Sequence, residues 1–124
     1  MGNKIQSYKD LIVWQKSIEL SLEIYRITEM FPREEIFCLS IQMRRCSISI
    51  PSNIAEGRGR GTRKDFAHFL RISLGSSNEL QTQIEIAKRL PKTKHINFKK
   101  AEFLLDEIIK ILNTIIKKLN FPES

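Results

Sequence analysis

The chain is predicted to fold as an all-α, antiparallel, up-down-up-down four-helix bundle. Three observations carry that expectation. Apolar residues recur at three- and four-residue steps in four long segments. No segment shows the two-residue alternation of a half-buried strand. The junctions between segments are short, so helices adjacent in sequence should lie antiparallel. At 124 residues the chain is expected to form one domain, 1–124, long enough for a real hydrophobic core.

The first helix is expected from about Asp10 to Phe31, closed by Phe31-Pro32 because a residue before proline avoids helical geometry. It carries two apolar stripes. Val13, Leu20, Ile24, Ile27 and Phe31 form one; Leu11, Trp14, Ile18, Leu22 and Tyr25 form the other. One stripe suffices to bury a helix against a monomer core. A second points to burial from another side, by another subunit.

The second helix is expected from about Arg33 to Glu56, with Ile36, Ser40, Met43, Ser47, Ile50 and Ile54 on one face. Pro51 interrupts it, because proline lacks the N–H that would bond to the Ser47 carbonyl. The helix either kinks there or ends near Ser49 and restarts; the in-phase apolar face through Ile54 favours the kink. Cys38 and Cys46 lie on this helix, about 12 Å apart at 1.5 Å per residue, too far for an unstrained disulfide. Both are read as buried thiols.

The third helix is expected from about Thr62 to Leu90, with Thr62 as N-cap and Asp65 favouring the positive first turn. Glycine inside a helix costs about 1 kcal/mol relative to alanine. Gly75, within Ser73-Leu74-Gly75-Ser76-Ser77, therefore implies a helix or ligand close to the backbone there. Pro91 ends the helix. The fourth, about Phe98 to Leu119, repeats Phe98, Ala101, Leu105, Ile108, Leu112, Ile115 and Leu119 in the alternating three-four steps of a bundle seam.

The formal net charge is +7, and two stretches carry more than all of it. Residues 44–71 hold seven Lys/Arg against two acids, centred on Gly57-Arg58-Gly59-Arg60-Gly61, read as a flexible Gly/Arg break between helices. Residues 88–100 hold six Lys/Arg and no acid. Clustered positive charge favours an anionic partner, most often nucleic acid. Solubility and helix-end charge remain the alternative for each patch. The candidate nucleic-acid-binding residues are Arg44, Arg45, Arg58, Arg60, Arg63 and Lys64, with Lys88, Arg89, Lys92, Lys94, Lys99 and Lys100 as a second patch. Trp14, Tyr25, Phe66 and Phe69 could stack on bases but fall on apolar faces, so they are read as core. Binding should then be backbone-directed and only weakly sequence-specific.

Other chemistry finds little support. There is no nucleophile elbow, no GxxxxGK[ST] phosphate loop, no metal-ligand spacing between the two Cys and two His, and no Glu-x-x-His pair. No catalytic residue, metal or cofactor is assigned. Asn53, Glu56, Arg71, Glu79 and Gln83 are expected to form a polar layer between the second and third helices, with a small-molecule pocket at Asn53, Glu56 and Glu79 as a distant option. No apolar run approaches the roughly 20 residues of a membrane span, and MGNKIQSYKD lacks the apolar region of a secretory signal. A cytoplasmic location without membrane contact is expected.

A resemblance covers nearly the whole chain. Residues 8–17, YKDLIVWQKS, resemble the opening of a bacterial four-helix-bundle family described as proteins encoded in intervening sequences of large-subunit ribosomal RNA genes. Residues 47–57, SISIPSNIAEG, resemble its central motif. Phe66, Phe69-Leu70, Gly75-Ser76 and Glu79-Leu80 resemble its third-helix pattern. The resemblance implies an antiparallel bundle and a homopentamer. It extends to the accessory variability protein of diversity-generating retroelements, a basic barrel that binds nucleic acid and a reverse transcriptase. The expectation drawn from all of this is a non-enzymatic, homo-oligomeric bundle that binds RNA or DNA through phosphates. The alternative is a scaffold that docks an acidic protein such as a reverse transcriptase.

Overall fold

A computed structural model describes residues 7–120, the side chains of residues 36 and 37 excepted. The reading of the N-terminus for targeting therefore falls largely outside the described residues. All regular elements among them are helical. A 3₁₀ turn, Tyr8–Asp10, is closed by a capping box in which Ser7 accepts the Lys9 N–H and Asp10 accepts the Ser7 N–H. Helix α1 then spans Ile12–Thr28. A helical turn, Arg33–Glu35, leads into a π-helical segment, Ile36–Ser40, which runs directly into α2, Ile41–Gly59. Helix α3 spans Arg63–Arg89 and α4 spans Lys99–Asn120.

The helices pack in cyclic order α1–α2–α3–α4, each against its two neighbours and antiparallel to them. One end of the bundle, the corner end, gathers the start of α1, the α2–α3 turn and the end of α4. The other, the loop end, gathers the end of α1, residues 29–40 and the α3–α4 loop. The core is built from Leu20, Ile24, Ile50, Ile54, Leu70, Leu80, Leu105 and Ile108, all fully buried. Each such side chain contributes on the order of 1.5–3 kcal/mol. The α4 seam faces inward as expected, with Ile115 and Leu119 half-buried at its end.

Helix α1 stops at Thr28, three residues earlier than expected, and Phe31 turns back to meet Phe98 edge-on at 6.4 Å. Its first stripe is buried; of its second, Leu22 is 67% exposed and Tyr25 39%. Helix α2 continues unbroken through Pro51, so the restart at Ser49 does not occur. The Ser47 carbonyl that Pro51 leaves without its helical donor accepts the Ser21 hydroxyl of α1 at 2.9 Å.

Two expectations are corrected here. Gly75 is exposed and a Cβ there would meet open space. The close approach of α2 and α3 is made instead by serines: Ser73 donates to the Ile50 carbonyl at 2.9 Å, and Ser49 and Ser76 pair at 2.8 Å. Cys46 is buried as expected, but Cys38, two positions off the inward row, is exposed. Burial, with Glu79 beside it, pushes the Cys46 thiol up to about 11.

Candidate nucleic-acid interface

The α2–α3 corner is tighter than a Gly/Arg break. Helix α2 runs through Gly57, Arg58 and Gly59, and the connection is only Arg60-Gly61-Thr62. Among the described residues Gly61 alone adopts positive φ, at 86°. Thr62 caps α3 by accepting the Asp65 N–H at 3.1 Å. Gly57 serves packing rather than turning: a Cβ there would lie 2.6 Å from the Cβ of Phe69.

Most corner arginines have structural partners. Arg60 donates to Glu56 at 2.9 Å and stacks over the Phe69 ring at 4.9 Å. Arg63 donates to the Lys118 carbonyl at 3.0 Å, satisfying one of the free carbonyls at the end of α4. Arg71 donates to Asn120 at 2.7 Å. Arg60 and Arg63 are thus held by partners within the chain, through bonds that are themselves exposed to solvent. Lys64 is exposed and Arg58 half-buried, and neither forms an ion pair among the described residues.

Arg44 and Arg45 lie far from the corner, roughly 20 Å up α2 at 1.5 Å per residue. Arg45 is exposed. Arg44 is half-buried: its Nε donates to Thr28 at 2.7 Å, and its guanidinium lies 4.6 Å over the Tyr25 ring. Tyr25 is therefore a platform for an arginine rather than a core residue. Trp14, Phe66 and Phe69 are half-buried against the bundle.

The second patch sits at the opposite end of the bundle, about 40 Å away along the 27-residue α3. Half of it is compensated. Lys88 pairs with Glu102 at 2.8 Å, Arg89 with Glu85 at 2.8 Å, and Lys92 with Glu34. The Lys92 hydrogen bond holds the Glu34 carboxyl below its ordinary value, and the Glu102 bond holds Lys88 above its own. Lys94, Lys99 and Lys100 are exposed and form no ion pair among the described residues.

Sequence reading missed Lys9, Lys117 and Lys118, exposed residues that the antiparallel order brings to the same end of the bundle as Arg58 and Lys64. The helix order itself was the available signal. The expected polar layer also dissolves. Asn53 donates to Ser49 of its own helix, Glu56 is taken by Arg60, Arg71 by Asn120, and only Glu79 and Gln83 meet, around Cys46. No group of three His, Cys, Asp or Glu that could hold a metal occurs among the described residues. No helix among them is long and apolar enough to cross a membrane.

A four-helix bundle with cations gathered at its two ends defines a class of small basic helical proteins. Within that class, residues 9–114 match the 23S rRNA-intervening sequence protein family, and the chain belongs to it. A solved structure from Bacteroides thetaiotaomicron, a protein with unknown function from the S23 ribosomal protein family, is 32% identical, with a TM-score of 0.73 over 86% of this chain and 96% of that one. No curated protein matches the chain.

Proposed function

We propose that the protein is a non-enzymatic, self-associating bundle that binds RNA or DNA through phosphates at its corner end. One observation carries the reading: Lys9, Arg58, Lys64, Lys117 and Lys118, from three separate stretches of sequence, converge there without an ion pair among the described residues. Such cations keep their full charge for an external anion. Arg60, Arg63 and Arg71 add to the local potential while holding the helix ends. The names of the matched families, which refer to 23S rRNA and to a ribosomal protein, agree with a nucleic-acid partner. The loop-end cations Lys94, Lys99 and Lys100, with Arg45 on the flank, form weaker secondary contacts.

Binding should weaken linearly on a log–log salt plot, by about 0.7 per phosphate contact for a single strand and about 0.9 for a duplex. Replacing Arg58, Lys64, Lys117 and Lys118 by alanine should flatten that slope while leaving helicity unchanged, since none pairs with a buried group. Titration of random oligonucleotides at several salt concentrations is the measurement. An unchanged slope would place the docking of an acidic protein first instead.

A further inference from the structure

Where the π-helical segment meets α2, the bundle carries a recess of about 420 Å³ lined by Thr28, Glu29, Phe31, Ser40, Ile41 and Arg44. Three features distinguish it from an ordinary surface dimple. Ser40 is 2% exposed, yet its hydroxyl has no hydrogen-bond partner. A buried hydroxyl without a partner is unfavourable, so a group that reaches it from the recess would be favoured there. Arg44 is held in one orientation by Thr28 and the Tyr25 ring, which leaves several of its five N–H donors unused. Glu29 lines the same recess, yet no ion pair joins it to Arg44. Opposite charges on one recess, unjoined, leave room for a group that bridges them.

The bridging group must accept from a forked guanidinium, donate to a carboxylate, and lay an apolar face on Phe31 and Ile41. We propose that the recess takes one unstacked nucleobase of a bound single strand, guanine in preference. Guanine presents two acceptors, O6 and N7, on one edge and two donor groups, N1–H and the N2 amino group, on the next. Arginine paired to O6 and N7 is the commonest specific contact to guanine. Glu29 takes the donor edge, and the Ser40 hydroxyl meets the base at the floor. Single-stranded recognition commonly splays out bases in this way. The inference rests on the nucleic-acid reading above and adds a base preference to contacts otherwise blind to sequence. The recess lies towards the loop end of the α1–α2 face, so a subunit seated on Leu22 and Ile48 would border it.

The test compares short uridine-rich RNAs that carry one central guanine, adenine or abasic position. The guanine strand should bind about tenfold more tightly than the abasic one, within the range of a bidentate base contact. Glu29→Gln should bring it to the abasic level with the salt slope unchanged. Glu29 is exposed and forms no ion pair among the described residues, so this variant keeps the fold; Ser40→Ala should act in the same direction. Guanosine monophosphate should shift the Arg44 Nε resonance while inorganic phosphate does not. Equal binding of guanine and abasic strands, with a steep slope retained, would remove the base slot and leave phosphate binding standing. Absence of salt-dependent binding to any strand would remove both. Tighter binding of guanosine monophosphate than of the strand would make the recess a free-nucleotide site and overturn the proposal.

Discussion

At Gly57 and Gly75 the same residue type does opposite things, and a methyl group tells them apart. Gly57→Ala drives a carbon to 2.6 Å from the Cβ of Phe69, which is anchored to α3 and cannot swing away. Overpacking of this kind costs about 1–3 kcal/mol. Gly75→Ala adds a carbon in open space within a helix and should stabilise by about 1 kcal/mol. Urea midpoints of the two variants should move in opposite directions. Glu23 gives a second residue-scale test. The hydrogen bond from Arg26 holds its buried carboxyl below the ordinary 4.5, against the opposing effect of burial. A folded value below the unfolded one contributes stability that is present above pH 4.5 and lost as pH falls through the folded value. Urea unfolding between pH 7 and pH 3 should therefore show a smaller acid loss in Glu23→Gln than in the parent.

At the scale of elements, α2 turns on a compensation between Pro51 and Ser21. Proline removes the donor that would meet the Ser47 carbonyl, and Ser21 supplies one from α1. Ser21→Ala should cost about 1 kcal/mol, the ordinary net worth of such a bond. In a Pro51→Ala background the helix supplies its own N–H, so the same change should cost much less. A double-mutant cycle by chemical denaturation reads that coupling, and additivity of the two changes would show that Ser21 acts independently of Pro51. The four helices and their order were legible because three-four periodicity is a local signal and α4 repeats it for six steps. The role of Gly57 was not. Two glycines and two arginines beside it mark a turn by composition, while the Phe69 Cβ that demands a glycine is twelve residues away and belongs to another helix. Ser40 falls on the inward face that its spacing predicts; that its hydroxyl finds no partner there depends on neighbours the sequence does not place.

At the scale of the whole molecule, two basic runs in sequence become two separate ends in space, one partly neutralised by Glu34, Glu85 and Glu102. Between those ends runs the outer face of α1 and α2, where Leu22, Tyr25 and Ile48 are 67%, 39% and 44% exposed. Three such residues on one face, flanked by half-buried Leu11, Trp14 and Ile18, exceed the scattered exposure usual on a monomer. That face is the expected self-association surface. Leu22→Glu and Ile48→Glu put charge on side chains that touch solvent in the isolated bundle, so helicity and thermal stability of the monomer should change little. Sedimentation should show the parent as an oligomer at micromolar concentration and the double variant as a monomer. Phosphate binding should then weaken through loss of avidity, since linked sites gain effective concentration. The salt slope per subunit should persist. A double variant that keeps the parent's mass would place the contact elsewhere, and a parent that sediments as a stable monomer would remove self-association from the proposed function.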